Sequence, residues 1–439
     1  MTPFPSCSRA AGRDRLSSGR LLRLTVPQLV AIVSLIFVPA LPVEVGAQEY
    51  VPERHRWERR GAASQGMDPD ALRAAIEFAV SAETTGTRDL GERQPMERGR
   101  EPLDAPVGPV RDRGPMTGIV VRNGYIVAEW GDVERVDMTF SVTKSFLSST
   151  AGLAWQDGLI GDLDDAVRGY VPPTLLPPGD GEPGTESVDA GPGRKPVTLF
   201  DSEHNRKITW DHLLRQTSDW EGTLWGKPDW ADRPGDDLRA NRYREHNEPG
   251  SVYKYNDTRV NVLALALQHV WRRPLPQVLR ERIMDPIGAS STWRWHGYEN
   301  SWILLDGQWV QVVSGGGHWG GGMFISALDQ ARFGLLTLRQ GRWGERQLLD
   351  PAWYEMAETP GSANPGYGFM NWFLNTDRRA IPAAPETAFV HRGAGTNIIY
   401  VDRENDLVVV ARWIQNRQVP ELIERVLAAI ADGPGSEPE

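Results

Sequence analysis

Cysteine is all but missing from this chain: its 439 residues include one, Cys7. That residue lies ahead of the first apolar run, so a chain cleaved after the run carries no thiol. Disulfides, zinc–thiolate sites and cysteine nucleophiles are then excluded together, a composition compatible with an oxidising compartment. A surplus of positive charge is missing too: the formal net charge is −10, which argues against a general nucleic-acid binder, since phosphate neutralisation needs excess lysine and arginine. There is no His-Glu-x-x-His, and the eight histidines are scattered, so no metal or other cofactor is expected. No Gly-x-Ser-x-Gly elbow occurs, which argues against an α/β-hydrolase. Lysine is scarce, with five residues among 48 basic side chains.

What is present starts with a leader pattern. Arg9, Arg13, Arg15, Arg20 and Arg23 precede the apolar run "LVAIVSLIFVPALPV", which ends near the small residues "VGA" at 45–47. This order predicts a secretory signal over 1–47 cleaved after Ala47, and hence a periplasmic or extracellular protein. An uncleaved anchor is the alternative, although Pro39 and Pro42 interrupt the run and it is short for a spanning helix. Contact with a membrane is expected through this segment alone.

Beyond it, 40% hydrophobic and 24% charged residues suit an ordinary folded protein with a real core, neither disordered nor fibrous. An N-terminal extension covers 48–115, with a helix over "MDPDALRAAIEFAVSAE" (67–83) after an Asp-Pro start, then a polar connector rich in Arg, Gly and Pro. "TGIVVRNGYIVAEWGD" (117–132) places two β-branched runs around Asn123-Gly124, a strong hairpin signal. "TNIIYVDRENDLVVVARW" (396–413) repeats the pattern, and the helix "PELIERVLAAIA" follows. Strands at both ends of a helix-rich middle predict an α/β (α+β) fold: an antiparallel sheet flanked by helices, over 116–432, with a helical lobe at roughly 165–300 and a tail at 433–439. Residues 177–196 read as a Gly/Pro-rich surface loop.

The chemistry concentrates in "FSVTKSFLSSTAGLAWQDG" (140–158). Ser141 and Lys144 are three apart on a predicted helix and so share a face. A serine hydroxyl needs a base, and a lysine with an ordinary value of ~10.4 serves as one if burial or a neighbouring cation lowers it. The helix start also offers unpaired N–H groups to a developing oxyanion. A partly buried helix face explains the same residues without function. A second Ser-x-x-Lys, Ser251 to Lys254, follows the turn Pro249-Gly250 without helical patterning and reads as accidental.

With "YKYNDTRVNVLALAL" at 253–267 and "FVHRGAGTNIIYVD" at 389–402, the chain resembles the serine β-lactamase and penicillin-binding superfamily. It is most similar to the class C-like esterases and amide hydrolases, the 6-aminohexanoate-dimer-hydrolase-like branch among them. In that family Ser-x-x-Lys is followed by Tyr-x-Asn and then by Lys-Thr-Gly or His-x-Gly on a strand. The resemblance spans about 67–430, taking in "ITWDHLLRQTSDWEG" (208–222) and "GGGHWGGGMFISALDQARFGLL" (315–336). It implies that Ser141 is the acylated nucleophile, Lys144 its partner in proton transfer, and Tyr255 a proton shuttle that works as phenolate if nearby cations lower it, with Tyr253 the fallback. It further implies that His391 and Gly393 form the third motif and that the N–H groups of Ser141 and Ala394 make the oxyanion hole.

Two positions depart from the family. Asp257 stands where asparagine is usual, replacing an amide donor by an acceptor. His391 replaces a lysine that helps bind a substrate carboxylate, a role Arg392 is placed to take. Both lean towards an esterase or amidase acting on a small-molecule or peptide-like substrate, with a D-alanyl-D-alanine peptidase or weak β-lactamase as the alternative, and a catalytically silent binding protein as the rival of another class.

Two further signals compete. "GGGHWG" (315–320) matches G-x-G-x-x-G but lacks the βαβ unit and acidic partner of a dinucleotide site, so a mobile glycine loop beside the cleft is expected, followed by a Ser326/Asp329 capping box. Trp220, Trp225 and Trp230 recur near the expected cleft, either gripping substrate or packing.

Overall fold

The computed structural model describes residues 50–92, 108–176, 196–370 and 372–430. The expected signal segment, the loop at 177–195, the middle of the connector and the tail lie outside the described residues.

The first helix, α1 (Pro69–Ser81), starts where the sequence places it. Asp68 caps it, accepting from the N–H groups of Asp70 and Ala71, and Pro69 occupies the first turn, where no N–H is needed. The hairpin forms from β1 (Thr117–Arg122) and β2 (Tyr125–Trp130). Its turn residues Asn123 and Gly124 have φ of 52° and 84°, the left-handed pair that matches the twist of two joined strands.

A first, two-residue strand of another sheet, β3 (Asp137–Met138), leads into helix α2 (Thr143–Gln156). Helix α3 spans Asp257–Trp271. Strands β4 (Arg294–Leu305), β5 (Gln308–Val313) and β6 (Gly322–Ile325) follow, then helix α4 (Ala327–Leu338). The chain ends with β7 (Trp372–Leu374), β8 (Phe389–Gly393), β9 (Asn397–Asp402), β10 (Leu407–Arg412) and helix α5 (Val419–Ala428).

The main sheet has the order β7-β8-β9-β10-β1-β2, antiparallel at each pairing. The two ends of the domain therefore meet at its centre, Thr117 opposite Arg412 and Arg122 opposite Leu407. Alternation divides each strand between two cores. Val120, Ile398 and Val409 face α1 and α5, packing with Ala75 and Leu422. Ile119, Ile399 and Val408 face the other way, packing with Phe146 of α2 and Phe333 of α4. Because both faces are covered, β10 reads "LVVVAR" with no polar alternation and is buried throughout.

The lobe between α2 and β4 is helix-rich but not purely helical. It holds short helices at Trp210–Leu214 and Leu238–Arg242, the long α3, and a two-stranded turn pairing Thr223–Leu224 with Lys227–Pro228. A second sheet, β3-β6-β4-β5, lies beside the main one. Buried Arg412 ties the two together: its guanidinium donates to Ile325 O at 2.6 Å, Met138 O at 2.9 Å and Asn397 Oδ1 at 3.0 Å. Among the described residues no helix is long and apolar enough to cross a membrane.

Candidate active site

Helix α2 is buried from Thr143 to Ala154, so it runs through the protein rather than over it. Its start is pinned. Met323 N donates to Thr143 Oγ1 at 2.9 Å, Thr139 N donates to Met323 O at 2.9 Å, and Gln330 Nε2 donates to Thr139 Oγ1 at 2.6 Å. Ser141 sits in the single 3-10 turn before the helix. The residue before it, Phe140, is held at φ 49°, a conformation costing a non-glycine residue about 1 kcal/mol and tolerated where surrounding packing imposes it.

Lys144 Nζ donates to Ser141 Oγ at 3.1 Å and to Gly316 O at 2.9 Å, and it pairs with Asp257 Oδ1 in a short ion pair. The Ser141 hydroxyl also lies 3.3 Å from Gly316 O and is hydrogen-bonded to Tyr255. Lys144 Nζ stands 4.5 Å over the centre of the Tyr255 ring. The serine, the lysine and the phenol are thus brought together. Tyr253 packs against Tyr367, ring centres 5.0 Å apart.

Burial lowers Lys144 from its ordinary 10.5 to about 8, Asp257 opposing the shift and Arg233 adding to it. About a tenth of such a lysine is neutral at pH 7, enough to serve as a base. Burial and the charge of Asp257 push the Tyr255 hydroxyl above its usual range. The phenolate that the resemblance implied is therefore disfavoured, and the Tyr255 hydroxyl keeps its proton.

Asp257, the first residue of α3, is expected from the sequence to meet substrate, but it is fully buried and does not line the cavity. Its side chain is buried, with Lys144 on Oδ1 and Arg233 on Oδ2 at 2.7 Å. Burial works to raise its carboxyl, but Arg233 and Lys144 outweigh it and hold the group below the ordinary carboxylate range. Its neighbour Asn256 caps α3, accepting from Arg259 N. Asp232, also buried, accepts from Asp257 N and from Arg233 at 2.8 Å. Burial and Asp257 raise Asp232.

The glycine-rich segment is a buried seam, not an exposed loop. A Cβ on Gly316 would lie 2.3 Å from Asp257 Oδ1, so only glycine lets that backbone reach Lys144. From the same segment His318 faces Asp232 at 3.5 Å and Asp257 at 3.9 Å. The ligand atoms of Asp232, Asp257 and His318 lie within 4.8 Å of one another, a spacing a metal ion can use. Both carboxylates already carry cationic partners from the protein.

A cavity of about 600 Å³ opens over the serine, its lining including Ser141, Arg233, Tyr255, Phe373, Arg392, Gly393 and Ala394. Gly393 brings β8 onto the helix start: a Cβ there would lie 2.2 Å from Thr139 O and 3.0 Å from Ser141 N. Arg392 lines the cavity with its guanidinium 5.5 Å from the centre of the Phe373 ring.

His391 departs from expectation. Its ring is buried in the core between sheet and helices, packed against Trp372, Phe389 and Phe333, with Nδ1 2.8 Å from Ser145 Oγ. Burial, and secondarily Arg403, lowers it to about 3, so it is a neutral packing group and lines no part of the cavity. The tryptophans pack as well: Trp220 and Trp225 are buried and none of the three reaches the cavity. Ser251 and Lys254 bond elsewhere, to Glu248 O and Asn241 Oδ1. Ser326 caps α4, while the Asp329 carboxylate turns to Ser290.

Sequence reading missed Arg233, Asp232 and His318. Asp232 and Arg233 lie in no recognisable motif, their one local signal being the Pro234-Gly235 turn that follows, and His318 sits inside the glycine-rich stretch 315–320, which reads as a loop.

No curated protein matches the chain. Among solved structures, the chain is similar to a penicillin-binding protein homolog from Caulobacter crescentus: 14% identity, TM-score 0.51, 83% of this chain and 99% of that one. It is also similar to a β-lactamase/D-alanine carboxypeptidase from Pseudomonas syringae (13%, TM-score 0.49, 84% and 100%) and to EstCE1, a hydrolase with promiscuous acyltransferase activity (18%, 0.49, 83% and 99%). The family model described as Beta-lactamase matches residues 116–430, a stretch holding both sheets and every residue of the site, and the chain belongs to that family, with the β-lactamase/DD-peptidase-like fold.

Proposed function

We propose that this protein is an exported serine hydrolase that cleaves an ester or amide bond through an acyl-enzyme on Ser141. The reading is carried by one observation: Lys144 Nζ lies 3.1 Å from the Ser141 hydroxyl at the floor of a cavity, with Tyr255 bonded to the same hydroxyl. Lys144, lowered to about 8, accepts the Ser141 proton as Oγ attacks the substrate carbonyl carbon. The oxygen that gains charge rests between the N–H groups of Ser141 and Ala394. The Tyr255 phenol protonates the departing alkoxide or amine and is reprotonated from Lys144. Water then attacks the acyl carbon, gives up its proton along the same path, and Ser141 leaves as the hydroxyl.

The burial of Asp257 favours esters and simple amides over lactams. The position that carries an amide donor in the family here carries a carboxylate turned to Lys144 and Arg233, so it offers substrate no N–H. Export is supported by the arginine-rich, apolar and small-residue order of 1–47.

Ser141→Ala is expected to abolish both turnover of a short-chain nitrophenyl ester and labelling by a fluorophosphonate. Labelling that persists in the variant overturns the proposal. A chromogenic cephalosporin turned over faster than the ester points to the weak β-lactamase instead, and absence of a nitrophenol burst from the wild type points to a silent binding protein.

A further inference from the structure

Arg233 lies outside every sequence motif, yet it touches three parts of the site. Its guanidinium is 2.7 Å from Asp257 Oδ2 and 2.8 Å from Asp232 Oδ1, it stands 4.8 Å over the centre of the Tyr255 ring, and it lines the cavity. The Tyr255 ring is therefore contacted by two cations, Lys144 and Arg233, and the same two grip opposite oxygens of Asp257. The backbone at Arg233 has φ 47°, a conformation that a long side chain rarely adopts and that persists where its surroundings over-determine it.

Asp232 and Asp257 are both fully buried beside Lys144. Two unopposed carboxylates hold an ammonium proton tightly, and a lysine that keeps its proton cannot accept one from serine. One guanidinium between them cancels half of that field and braces the tyrosine. We propose that Arg233 is a positioning residue of this site: it offsets half the charge of the Asp232–Asp257 pair, so releasing Lys144 to give up its proton, and seats the Tyr255 ring against Ser141. The consequence for hydrolysis rests on the proposed function; the charge relationship does not.

The groups facing Lys144 are Asp257, Asp232 and Arg233, with the hydroxyl of Ser141 and the ring of Tyr255. His318 faces the two carboxylates from the glycine-rich seam, and Tyr253 stands behind Tyr255. The chain has five lysines, few enough for the full-length protein labelled with [13Cε]-lysine to resolve Lys144 by NMR, assigned through its loss in Lys144→Arg. In Arg233→Gln the Lys144 midpoint is expected to rise by about one pH unit, whereas Arg233→Lys, which keeps the charge, leaves it in place. Asp232→Asn is expected to move it the opposite way, and that variant decides the matter if Arg233→Gln does not fold. The acid limb of kcat/KM for a nitrophenyl ester follows each shift, because the base is the deprotonated lysine.

A midpoint unmoved in Arg233→Gln, moved equally in Arg233→Lys, or raised in Asp232→Asn overturns the proposal. If the midpoints move as expected in a protein that turns over no ester, the role of Arg233 stands and the catalytic reading of Ser141 falls.

Discussion

Lys144 and Asp257 meet out of contact with solvent although 113 residues of chain separate them. Each occupies the first turn of its helix, so two positive helix ends converge on one spot. Asp257 suits that field and Lys144 does not. The carboxylate allows an ammonium to exist where burial and two dipoles oppose it, and the same opposition makes its proton easy to remove.

Asp257→Asn should separate these effects. Asp257 is the group that most raises Lys144, so its loss lowers the lysine further and moves the acid limb of kcat/KM to lower pH. It also takes from Arg233, whose side chain is partly exposed, one of its two carboxylate partners, at a cost of about 1 kcal/mol. Urea unfolding and a pH–rate profile test both parts, and an acid limb displaced upward contradicts the account.

Tyr255→Phe keeps the ring between its two cations and removes the hydroxyl bonded to Ser141. A fall in kcat of about 10²- to 10³-fold with little change in KM is expected, as for loss of a positioned proton donor. Tyr253→Phe, altering a ring packed on Tyr367, should change kcat by no more than a few-fold. Equal losses in the two variants would remove Tyr255 from the chemistry.

Gly393→Ala adds a methyl 2.2 Å from Thr139 O. That neighbour is backbone and cannot swing aside, so β8 must move off the helix start, carrying Ala394 away from Ser141, its partner in the proposed oxyanion hole. Loss of one oxyanion donor costs about 10²-fold or more in kcat. Circular dichroism should show the fold retained, and an unchanged kcat would place the oxyanion hole elsewhere.

His391 gives a stability prediction. Its folded value is about 3, below the ~6.5 of an unfolded histidine. Between these limits the unfolded chain binds a proton the native state refuses, so stability is full above about pH 6.5 and is lost as pH falls towards 3. The slope from this group is about 1.4 kcal/mol per pH unit. His391→Gln should flatten the dependence by that amount in urea unfolding at pH 6.5, 5 and 4, without changing the shape of the kcat/KM profile. An identical slope in variant and wild type would show that His391 is protonated in the fold.

The parts legible in the sequence were those governed by local rules. Asn123-Gly124 dictates its hairpin through turn conformation, Asp68-Pro69 starts its helix, and three-residue spacing brings Ser141 to Lys144. The side that His391 faces was not legible, because both faces of β8 are covered and alternation then carries no inside–outside signal. Nor was the partner set of Asp257. Asp232, Arg233 and His318 reach it from two separate segments, and nothing in their own neighbourhoods marks that convergence.

The pairing of Thr117 with Arg412 also bears on biosynthesis. The strand that opens the domain waits for the last of the described strands, and such long loop closures are slow. A chain ended before Leu407 lacks the rib on which β1 and β9 both lean, and Arg412 with it. The proposed centre therefore has no early-folding half: a nascent or truncated chain holds its serine and lysine without the wall that completes the cavity around them.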